Sequence, residues 1–151
     1  MAHQYVYFED FSPGRTWDWG EYTVTKEEIV SFASMYDPQP FHLDEDAALA
    51  SVFQSLTASG VHTIAVENKM FHLDDGPRFV ALAQLAMTDI SFPSPVRAGD
   101  RLRIEVICLS LRESKSKPDR GVVEQQCKLL NQYGDECFRC THTILVPKRA
   151  A

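Results

Sequence analysis

The chain has 151 residues, of which 44% are hydrophobic, and a formal net charge of −6. That length favours one domain with a core of its own, and an acidic chain without a long run of Lys or Arg is a poor match for gripping nucleic acid through its phosphates. The amino terminus lacks a basic segment followed by an apolar one, and no stretch has the length to span a bilayer. A soluble, cytoplasmic protein with no membrane partner is the expectation.

Residues 21–25, EYTVT, form the first expected strand. A helix follows over 25–37, with Thr25 and Glu28 spaced as a capping box and Ile29, Phe32, Ala33 and Tyr36 on one face. Pro38 stops it at Asp37. Proline fixes its own φ and steers the residue before it away from helix, so Pro38 and Pro40 push both Asp37 and Gln39 toward extended backbone. The link from Asp37 to His42 is therefore stiff. A stiff link holds a carboxylate and an imidazole in one arrangement at little entropic cost, as general acid–base chemistry requires. The competing reading is a helix C-terminus and a turn, with His42 capping the next helix. A metal reading, His42, Asp44 and Asp46 with Asp37 as ligands, is weaker: Asp44 is well placed as a helix cap, and no second histidine stands at ligand spacing.

Asp44 is expected to cap a short helix over 45–51, and Ser59 to open a third that runs to residue 73 before DDGPR breaks it. On that third helix Val61, Ile64 and Ala65 share an apolar face that Asn68 continues, so the amide is expected to be buried and partnered, either to water or substrate or to the sheet. Gly60 leaves the unpaired N–H groups of the helix start open to a ligand. His62 is left to packing or surface. His3, His72 and His142 have no convergent partners in the sequence and receive no role.

After Gly76 the period changes. Residues 78–92 form one long apolar strand. Residues 100–111 alternate Leu102, Ile104 and Val106 against charged neighbours, 114–121 turn, 122–130 return, 131–136 turn around Gly134, and 137–146 close the sheet. Cys108, Cys127, Cys137 and Cys140 are expected as buried reduced thiols, and residues three apart on a strand face opposite sides, which argues against a redox or zinc role for Cys137 and Cys140 as a Cys-x-x-Cys motif. Helices first and an antiparallel sheet after them give an α+β domain, one helix wrapped by a curved sheet.

YDPQPFHLDEDAA, SLTASGVHT, SFPSPVRAGDRL and SKSKPDRG resemble, in that order, the MaoC-like dehydratases and (R)-specific enoyl-CoA hydratases, which have the hot-dog fold. The resemblance runs from about Phe8 to Val146 and rests most on Asp-x-x-Pro-x-His. It implies a hydratase or dehydratase acting on an acyl thioester, with Asp37 and His42 as the catalytic pair. The Gly60 N–H would serve as the thioester-oxygen donor, with Ser59, Asn68 and Gln39 around the substrate. The chain departs from the family at Gln39, where many members have Asn, and at Asn68, where several have Ser. No cofactor is consumed on this reading, and no metal is used; coenzyme A or an acyl-carrier pantetheine belongs to the substrate.

Lys115, Lys117 and Arg120 are candidates for coenzyme A phosphates, although Pro118, Asp119 and Gly121 already explain them as a solvated hairpin tip. Two other classes stay open: a hot-dog thioesterase, for which Glu67 is the candidate carboxylate although it lies off the Val61 face, and a silent acyl-binding subunit. A homodimer is expected, with 122–130 and the start of 78–92 as pairing edges.

Overall fold

The computed structural model describes residues 3–150. The chain starts with a two-residue strand, β1 (Tyr5–Val6), and a 3-10 turn (Phe8–Asp10), then enters β2 (Thr16–Thr23). Four helices follow: α1 (Lys26–Tyr36), α2 (Pro40–Leu43), α3 (Glu45–Leu49) and α4 (Gly60–Met70). The remainder is strand: β3 (Arg78–Phe79), β4 (Ala83–Ser91), β5 (Arg101–Glu113), β6 (Arg120–Leu130) and β7 (Glu136–Pro147). Five strands pair antiparallel in the order β2-β5-β6-β7-β4, and β1 pairs in parallel with β3. The α+β class matches the expectation.

Alternation explains which face of the sheet is covered. Leu102, Ile104, Val106 and Cys108 on β5 are buried while Arg101 and Arg103 are exposed, because successive strand residues point to opposite faces. Val66 and Met70 of α4 pack with Leu102, Ile104, Leu129 and Phe138 in the main core, and Trp19 Nε1 donates to the Met70 carbonyl at 2.9 Å. Gly76 is required there: a Cβ would stand 2.2 Å from the Trp19 ring. A second cluster, including Val6, Phe8 and Phe11, packs on Cys108, Val123, Ile144 and Val146.

Several expectations are corrected. The strand expected over 21–25 is β2, which begins at Thr16, follows β1 and carries an irregularity between Trp19 and Tyr22, where Gly20 takes φ +80°. The single strand expected over 78–92 is two, because the chain changes partner: Val80 N–H donates to Val6 O and Leu82 N–H to Leu145 O. Only half of the capping box forms at α1. Thr25 Oγ1 accepts from Glu28 N–H, but the Glu28 carboxylate turns to Tyr22 and His62, and Tyr36 is exposed.

The face assigned to α4 is inverted. Val61, Ala65 and Asn68 are exposed, while His62, Thr63, Val66, Glu67 and Met70 are buried. Polar side chains occupy the inner face because they have partners there, which periodicity cannot reveal. Cys137 and Cys140 are both in the core, not on opposite faces, since the β6–β7 register shifts beside Cys137. All four cysteines are buried and free, as expected. Strand β6 lies between β5 and β7 and offers no edge; β2 and β4 are the edges. Among the described residues no helix is long and apolar enough to cross a membrane.

Candidate active site

The Asp37–His42 segment is pinned at both ends. Asp37 closes α1, its N–H donating to Ala33 O, and Gln39 N–H donates to Asp37 O at 2.8 Å. Gln39 is extended (φ −72°, ψ 139°) and precedes Pro40 at the first position of α2, where a missing N–H costs nothing. That short helix, which periodicity did not reveal, carries His42 inward. Asp44 rather than His42 caps the next helix: its Oδ1 accepts from Ala47 N–H at 2.8 Å. That carboxylate is thereby committed to backbone rather than to a metal set with His42.

His42 is buried, and its Nδ1 lies 2.7 Å from the Thr57 carbonyl. A carbonyl only accepts, so Nδ1 carries the proton and Nε2 of the neutral ring presents a lone pair. That lone pair faces Asp37 Oδ2 at 3.7 Å. Two acceptors at this separation do not bond directly, but one water, about 2.8 Å from each, donates to both. Asp37 is partly exposed, so the pair is open on one side, and the cavities that flank α4 are lined by neither residue.

Thr57 also links the pair to α4. Residues 56–58 run beside 96–98, with Ala58 N–H donating to Val96 O and Ala98 N–H to Leu56 O. The next residue, Ser59, is buried and caps α4 by accepting from His62 N–H at 3.1 Å. Gly60 follows as the first helical residue, with an N–H that has no intrahelical acceptor. A Cβ at Gly60 would stand 3.0 Å from Phe92 Cζ, so this helix start is hemmed by an aromatic ring and takes glycine for close approach. Thr57 and Phe92 are site residues that sequence reasoning missed; one acts through its backbone and the other lies 32 positions from Gly60.

Behind the site, Glu28 accepts from Tyr22 Oη at 3.0 Å and stands 3.0 Å from His62 Nε2, while His62 stacks on Phe32 with centroids 4.6 Å apart. This network fixes α1, which ends at Asp37, against α4, which begins at Gly60. The remaining predicted residues are not gathered. The Gln39 side chain is exposed, and Asn68 is exposed about 12 Å along α4 from Gly60, where it lines a different cavity with Gln125 and His142. Lys115 and Lys117 are exposed on the β5–β6 hairpin tip and Arg120 pairs with Asp119, as the turn reading expected.

Glu67 points away from this site into the core and meets His142, for which sequence reasoning finds no partner, at 2.7 Å. Burial would push the His142 pKa down, but hydrogen bonds with Cys140 and Glu67 outweigh it and hold it up at about 10.

The chain and its fold have relatives. The family model for the MaoC-like domain matches residues 10–128, and the chain belongs to that family. Its fold is the hot-dog fold that the resemblance implied. The crystal structure of a MaoC-like dehydratase from Rhodospirillum rubrum superposes with a TM-score of 0.88 at 37% identity, covering 97% of this chain and 99% of that one. An uncharacterized Bacillus subtilis protein, YdeM, is 26% identical over 93% of this chain and 98% of its own length. The 3-hydroxyacyl-thioester dehydratase Z of Mycobacterium tuberculosis is 34% identical over 88 residues, 57% of each protein.

Proposed function

We propose that the protein adds water reversibly across the α,β double bond of an enoyl thioester, giving a 3-hydroxyacyl product of (R) configuration. The observation that carries this reading is the 3.7 Å gap between Asp37 Oδ2 and a His42 Nε2 lone pair fixed by Thr57. A water held there loses a proton to the pair as its oxygen attacks the β-carbon, and the pair returns a proton to the α-carbon. Negative charge growing on the thioester oxygen meets the Gly60 N–H and the positive end of α4. Coenzyme A or a carrier pantetheine enters as part of the substrate, and the pair itself handles the water.

The thioesterase reading loses its carboxylate, because Glu67 is buried against His142 instead of facing a substrate. A panel of enoyl-CoA esters, followed by loss of ultraviolet absorbance and chiral analysis of the product, tests the proposal. Hydration without free thiol release is the expected result; thiol release without hydration contradicts it.

The working form in this proposal is a homodimer joined through β4. That edge strand exposes Leu85 and Ile90, with Leu82 and Phe92 at its ends and Val61 exposed on α4, a patch that invites a partner. Phe92 also touches the Gly60 position, so the second copy would close the open side of the pair. Light scattering across a dilution series is expected to give twice the chain mass at micromolar concentration, and a fully active single chain overturns it.

A further inference from the structure

Beneath α4, sharing no residue with Asp37 and His42, four metal-ligating side chains converge on the sheet. In the β6–β7 register Cys127 lies opposite Cys140 and Gln125 opposite His142. Two adjacent cross-strand pairs thus interrupt a face otherwise built from Val123, Leu129, Phe138 and Ile144. Glu67 reaches the same point from the helix: its Oε1 is 2.7 Å from His142 Nε2, and Cys140 Sγ is 3.2 Å from that same nitrogen. Ligand atoms of Glu67, Cys127 and His142 all lie within 4.8 Å of one another. All four residues are buried. A carboxylate is costly in a core, and one imidazole nitrogen cannot donate fully to both a carboxylate and a sulfur.

We propose that Glu67, Cys127, Cys140 and His142 form a zinc site that ties α4 to β6 and β7. Two thiolates, an imidazole nitrogen and a carboxylate oxygen are the donors of tetrahedral Zn²⁺, whereas Ca²⁺ and Mg²⁺ take oxygen ligands. Zinc bonds of 2.0–2.3 Å separate ligand atoms by about 3.3–3.8 Å, so the Glu67–His142 contact opens by roughly half an ångström on loading. Gln125 Oε1, buried and without a partner, stands across the ladder from His142 and is the available acceptor for its Nδ1–H, the outer contact that orients a ligating imidazole. Zinc replaces the two thiol protons and the proton on His142 Nε2, all of which leave to solvent. With four protein ligands the site is closed and structural. Cys137 takes no part; its Sγ faces the Pro95 and Asp135 carbonyls at 3.9 and 3.7 Å.

The test is elemental analysis of the protein purified from zinc-supplemented culture without chelator, together with the absorption spectrum of a cobalt-substituted sample. We expect about one zinc per chain, an intense thiolate-to-cobalt band and the visible bands of a tetrahedral ion. Cys127→Ala and Cys140→Ala, which keep a small apolar group in the core, should each weaken the thiolate band. Each should also lower zinc affinity by more than the roughly 10–100-fold that loss of an outer partner brings. A zinc-free protein whose cobalt complex lacks the thiolate band overturns the proposal, as does zinc binding that both variants retain in full. If either variant fails to fold, the spectrum of the parent protein decides alone.

Discussion

Asp37 faces His42 across 3.7 Å on a partly exposed segment, whereas Glu67 meets His142 at 2.7 Å inside the core. Both are a carboxylate beside an imidazole, and the difference lies in what the imidazole has left to give. His42 holds its proton on Nδ1 against a backbone carbonyl and offers a free lone pair across a water-sized gap. His142 has Nε2 engaged directly by Glu67 and Cys140 at once, with no water-sized gap between the groups. A third pair, Glu28 with His62 at 3.0 Å, resembles the second and holds helices together. Proximity of acid and base alone therefore does not mark a reaction centre; under the proposed function the distinguishing feature is an unsatisfied acceptor beside solvent.

The strongest break of this contrast is at the loose pair. Asp37→Asn and His42→Ala should each lower turnover by about 10²–10⁴-fold while leaving the melting temperature close to that of the parent, and the double variant should be little worse than either single one. Steady-state kinetics with calorimetry checks this; additive losses would separate the two residues. The reverse pattern is expected at the tight pair. Glu67→Ala removes the carboxylate that His142 Nε2 meets inside the core and leaves that buried ring without its partner; it should cost about 3–5 kcal/mol of stability by denaturant titration, with activity falling only as the folded fraction does.

Smaller effects sharpen the picture at the helix start. Gly60→Ala puts a Cβ 3.0 Å from Phe92, so the ring shifts and the N–H is partly screened; turnover should fall by about tenfold with little change in stability. Full activity in that variant would remove Gly60 from the site. Glu28→Gln keeps shape but weakens the tie between α1 and α4, and a drop of about 1 kcal/mol in stability is expected from thermal unfolding.

The legible part of the site was the local part. Asp37, Pro38, Pro40 and His42 act within six residues, where proline geometry dictates the backbone, and Thr25, Asp44 and Ser59 are caps whose partners lie three residues away. Strand positions on β5, β6 and β7 followed from alternation. What stayed hidden was set by distant pairing. Strand β6 looked like a free edge because nothing local says that β5 and β7 flank it. Glu67 and His142, 75 residues apart, could not be matched, and without that match a helix with His62, Thr63 and Glu67 on its inner face reads inside out.

The most direct test of the central claim is isotopic. An enoyl-CoA incubated with the protein in H₂¹⁸O and in D₂O, followed by mass spectrometry, should give an intact thioester with one ¹⁸O at the β-hydroxyl and one deuterium at the α-carbon, and His42→Ala should give neither. Heavy oxygen in a released carboxylate, with free coenzyme A and no label at the β-carbon, would contradict water addition by the Asp37–His42 pair.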